Sequence, residues 1–147
     1  MPTPFESAQL ILTLYEQRRE ETMRKARDFW AMFDPETMDD FMATMFGPQS
    51  GYVRMVMSYW DMAASLVLNG AIDSKMFQDS TGEYLVVYAK IEKLLPQIRE
   101  KWNNPAFLAS LEKFVMSLPD ARNQVDAMGI RIKAMIAARK AAAAGAA

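Results

Sequence analysis

Carboxylates carry most of the chemistry that this sequence could perform. Glu20 and Glu21 are adjacent, Asp39 and Asp40 are adjacent, and Glu16 stands one helical turn before Glu20. Such pairs can share a divalent cation or divide an acid and a base between them. Their usual helpers are missing, because the chain contains no histidine and no cysteine. Histidine is the commonest general base near neutral pH, and helical dimetal sites draw ligands from a Glu-x-x-His motif. Lack of cysteine removes thiolate nucleophiles, disulfides and zinc–sulfur sites. Phosphate-cradling glycine loops and the G-x-S-x-G elbow are absent too. The expectation is a non-enzymatic protein without metal or cofactor, its neighbouring carboxylates lying on solvated helix faces.

Three other patterns bear on function. Arg54, Ser58, Asp61 and Ser65 form a narrow polar line on an otherwise apolar helix. That line is the wet edge of the helix unless neighbours surround it, in which case Asp61 becomes a partly buried carboxylate. The chain has 13 methionines, with Met38, Met42 and Met45 on one helix face. Thioethers are soft ligands for Cu(I), but methionine at helical spacing fills irregular cores. Together with Phe41, Met45, Tyr52, Tyr59 and Trp60, the line's Arg54 and Asp61 make the candidate pocket or interface. The third pattern is a basic C-terminal helix carrying Arg131, Lys133, Arg139 and Lys140 beside Ile130, Ile132, Met135 and Ile136. It fits a partner helix or a membrane-surface contact, and equally the matching of cations to a helix C-terminus.

Helices must position all of these. Thr3, Pro4 and Glu6 open a long first helix expected to reach Phe33. Asp34–Pro35 restarts the pattern for a short second helix, which Gly47–Pro48 ends. The third, from Ser50 to Asn69, is apolar on most of its circumference and should be central. Asp73 caps one turn to Phe77, and Ser80 with Glu83 reads as a capping box for a fourth helix. Pro96 should kink or break that helix before Gln97–Trp102. Asn104–Pro105 and Pro119–Asp120 introduce a fifth and a sixth. The spacing predicts an all-α domain of about six helices over residues 1–140, in bundle or orthogonal packing, with an alanine-rich tail at 141–147 that frays.

Composition agrees: 51% of residues are hydrophobic and 24% charged, as in ordinary globular domains. Net charge is −1, so no basic footprint for nucleic acid exists. The charge is uneven, with five basic and nine acidic residues in 1–50 against seven basic and three acidic in 101–147. The acidic region could receive the basic helix within the chain or across a dimer. No segment reads as a leader or a transmembrane helix, which places the expected site of action in the cytoplasm.

The stretch Tyr59 to Asp73, Tyr-Trp-Asp-Met-Ala-Ala-Ser-Leu-Val-Leu-Asn-Gly-Ala-Ile-Asp, is followed by an amphipathic helix at Tyr84–Leu95. Residues 59–95 thus resemble bacterial all-helical domains of unknown function, where an aromatic–acidic helix precedes a Gly-x-Ile-Asp turn. The resemblance implies a helical fold and assigns no activity. The expected function is an interaction or structural module, self-associating as a homodimer or meeting a protein partner. The alternative is a small-molecule or lipid binder with a Met/aromatic pocket.

Overall fold

The computed structural model describes residues 1–146, whose regular structure is all helical. Among the described residues nine helices follow one another: α1 (Pro4–Arg19), α2 (Glu21–Met32), α3 (Met38–Met45), α4 (Ser50–Leu68), α5 (Ser74–Ser80), α6 (Glu83–Ile91), α7 (Leu95–Lys101), α8 (Ala109–Met116) and α9 (Ala121–Ala146). The all-α expectation holds, while the figure of about six helices is too low. The long first helix is two. Glu20 leaves the helical backbone at φ −57°, ψ 142°, and its carboxylate accepts from the Thr22 and Met23 amides, capping α2.

Two other helix starts differ from the sequence reading. Gly82, not Ser80, precedes α6, and the Glu83 side chain turns away to Arg27 and Trp60. Helix α8 starts after Leu108, in a left-handed conformation at φ 54°, four residues beyond Asn104. Pro96 does mark a break, standing in the first turn of α7, where its missing N–H has no helical partner to lose. The alanine run expected to fray continues α9 to Ala146, and Ala147 lies outside the described residues.

Helix α4 is the centre. It packs chiefly between α2 and α8, with α3, α5 and α6 also against it. Its apolar period makes this possible: Val53, Val56, Met57, Tyr59, Trp60, Ala63, Ala64 and Val67 are all buried. Asn69–Gly70 ends it as a Schellman motif. Gly70 takes φ 77°, its N–H donates to Val67 O, and Ala71 N–H donates to Leu66 O. Helix α9 packs mainly on α6, with Ile132 and Ile136 turned inward. No helix among the described residues is long and apolar enough to cross a membrane.

Candidate functional site

The aromatic residues of the candidate pocket belong to the core. Phe41 is fully buried between Phe33 and Trp102, with ring centroids at 6.5 and 5.7 Å. Trp60 is fully buried, edge-on to Tyr59 at 4.9 Å, and its Nε1 donates to Glu83 at 3.2 Å. Tyr59 is buried and its hydroxyl donates to Leu14 O, while burial raises its pKa above the ordinary tyrosine value. Met45 and Tyr52 are half-buried against the same core. Met38 and Met42 join them there, so the methionine face is core filling.

Asp61 is half-buried and has a specific task. Its Oδ1 accepts from the Leu111 amide at 2.9 Å, in the first turn of α8. Leu108 stands at the N-cap of that helix and has no oxygen to offer. Asp61 therefore supplies from α4 the cap that α8 lacks, with its negative charge at the positive end of the helix. Arg54 is exposed at the edge of α4.

The paired carboxylates are likewise engaged locally. Glu16 pairs with Arg19, Glu21 with Lys25, and Asp40 closes a capping box with Thr37 at the start of α3. Among the described residues no group of three Asp or Glu side chains is placed to hold a metal ion. On α9, Lys133 donates to Asp34 and to Glu36, and Arg139 reaches Ala31 O at 3.5 Å. The basic helix thus engages acidic residues of its own chain at the α2–α3 turn. Arg131 and Lys140 stay exposed.

A different set of residues forms a groove of about 430 Å³. Three helices line it, each with one face at helical spacing. From α2 come Arg24, Arg27, Asp28, Trp30 and Ala31; from α6, Glu83, Val86 and Lys90; from α9, Ile132, Met135, Ile136 and Arg139. Arg27 grips Glu83 through two nitrogens at 2.7 to 3.1 Å, bracing α2 against α6. That bond raises the Arg27 pKa further above its ordinary value.

Lys90 lies at the bottom. It is 7% exposed, its Nζ donates to Trp30 O at 2.6 Å and Ala31 O at 3.3 Å, and the ammonium sits 5.7 Å from the Trp30 ring centre. These carbonyls belong to the last turn of α2, where a cation is favoured by the helix dipole. Burial dominates nonetheless and lowers the Lys90 pKa to about 8, with the Asp34 carboxylate opposing the shift. Trp30 Nε1 is also buried and has no acceptor among the described residues.

Sequence reading missed this groove. Its one signal is a lysine between Val87 and Ile91 on the apolar side of α6, a place where lysine is rarely buried without partners. The arrangement offers cations, one buried ammonium and an apolar wall. It brings together no nucleophile with a base beside it.

The chain belongs to the family described as a domain of unknown function (DUF4760), whose model matches residues 4–117. That match covers α1 through α8 and contains the stretch 59–95 on which the sequence resemblance rests. Helix α9 lies beyond it. No curated protein matches the chain, and no solved structure does.

Proposed function

We propose that the protein is a non-enzymatic, cytoplasmic interaction module that self-associates through the outward face of α9. The observation that carries this reading is Ile130, a large aliphatic side chain left 74% exposed in the middle of a 26-residue helix. Around it Ala127, Ala134, Ala137 and Ala141 are exposed at alternating spacings of three and four, the pattern of a two-helix seam. A second copy lying antiparallel would set the Asp126 flank of one helix toward the Lys140 flank of the other. The Met/aromatic side chains first considered for such an interface are engaged in the core. The absence of histidine and cysteine favours binding over catalysis.

Sedimentation velocity over a range of concentrations tests the reading. A reversible monomer–dimer equilibrium is expected, lost in Ile130→Glu. A monomer at every concentration would refute self-association.

The alternative, a small-molecule or lipid binder, draws support from the groove and not from the Met/aromatic cluster.

A further inference from the structure

We propose that the α2/α6/α9 groove binds a single-headed carboxylate amphiphile, a medium-chain fatty acid being the ligand class. This site is independent of self-association, because Ile132 and Ile136 face the groove while Ile130 faces away from it.

Charge sets the kind of head group. Four cations, Arg24, Arg27, Lys90 and Arg139, line the groove against two carboxylates, Asp28 and Glu83. Glu83 is already held by Arg27. Arg24 and Arg139 have no carboxylate partner among the described residues, and they come from two different helices, α2 and α9. A guanidinium left without a carboxylate of its own suits a ligand carboxylate, whose two oxygens accept from its planar donors.

The buried donors point the same way. An ammonium has three N–H donors, and Lys90 uses two of them on Trp30 O and Ala31 O. Trp30 Nε1 has no acceptor at all among the described residues. Buried donors are nearly always satisfied, so a groove floored by these two side chains calls for an oxygen acceptor.

Shape and polarity set the tail. Val86, Ile132, Met135 and Ile136 form an apolar wall that runs along α9 to Arg139. Seven residues separate Ile132 from Arg139, a length of about 10 Å along the helix. That is a trough for a short acyl chain with its head at the Arg139 end. The volume of about 430 Å³ lies within the range of small-molecule sites. The apolar wall belongs largely to α9, outside the family match, so the site is assembled by the C-terminal helix on the family's helical body.

The test is calorimetric titration of the full-length chain with decanoate, and with decanol as the same tail carrying a neutral head. One decanoate per chain is expected, with decanol weaker by about tenfold or more. Arg24 and Arg139 are exposed, so the double variant Arg24→Ala/Arg139→Ala keeps the fold, which circular dichroism verifies, and should weaken decanoate similarly. Met135→Glu, which puts a carboxylate in the apolar wall, should abolish binding. Leu12→Glu, on the outer face of α1, should leave it unchanged. No saturable decanoate binding by the folded wild-type chain would overturn the proposal. So would affinity indifferent to the Arg24/Arg139 change, or equal for decanol.

Discussion

Helices α4 and α9 are the two longest in the molecule and have opposite surroundings. Eight of the 19 residues of α4 are buried, including a tryptophan and a tyrosine with both polar atoms bonded. Only four of the 26 residues of α9 are buried, all of them alanine, valine or isoleucine. The first helix is enclosed by its own chain, and Tyr59, Trp60 and Asp61 on it each bond within the molecule, while Arg54 stays exposed. The second touches the body along one stripe and leaves the rest open. The surface left free for function lies where packing is incomplete: in the groove on one side of α9 and along the bare face on the other.

The comparison is broken most severely at Trp60. Trp60→Ala should lose about 3–5 kcal/mol through the cavity it leaves, and would also strip Glu83 of a donor. Urea unfolding monitored by circular dichroism measures this, and a loss below about 1 kcal/mol would show that α4 is not the centre of the core.

Lys90 gives the next effect, and its sign follows from linkage. Its pKa is about 8 in the folded chain against 10.5 as the ordinary lysine value. Between those values the unfolded chain binds more protons, so stability rises with pH, by about 3 kcal/mol in all. Below pH 8 both states are protonated and the penalty of burying the charge is fully present. Tyr59, Tyr84 and Tyr88 act in the opposite sense higher up. Burial raises all three pKa values, that of Tyr88 to about 12, so the stability they contribute is lost as pH climbs from 10 through 12. Urea midpoints should rise from pH 7.5 to about 10 and then fall, and Lys90→Met should flatten the rising limb.

A smaller effect belongs to Asp61. Asp61→Ala removes the cap on Leu111 and should destabilise the protein by about 1 kcal/mol. Hydrogen exchange should quicken in the first turn of α8 more than elsewhere. Uniform protection across α8 would mean that the cap carries no local stability.

These residues also show what the sequence could disclose. Helix α4 was legible because its apolar period is long and Asn69–Gly70 punctuates its end. The α1–α2 break was not, since Glu20 favours helix interiors and caps α2 here through its own longer side chain. Asp61 stood out as a carboxylate on an apolar helix, but the amide it caps is 50 residues away, behind a leucine that no capping rule selects. The groove was out of reach for the same reason. Its walls come from residues 24–31, 83–90 and 132–139, and each segment alone reads as an ordinary amphipathic helix. The exposure of Ile130 likewise depends on how α9 is rotated against α6, which the stripe of isoleucines and alanines leaves open.

The most direct test of the contrast between the two helices is made at Ile130, by measuring melting temperature and native mass together on Ile130→Glu. The side chain touches little, so its loss should change stability by no more than about 0.5 kcal/mol. The account predicts an unchanged melt in monomer-forming dilution and a mass that falls from twice the chain to one. A dimer that survives the substitution, or a melt that collapses with it, would contradict the assignment of this face to self-association.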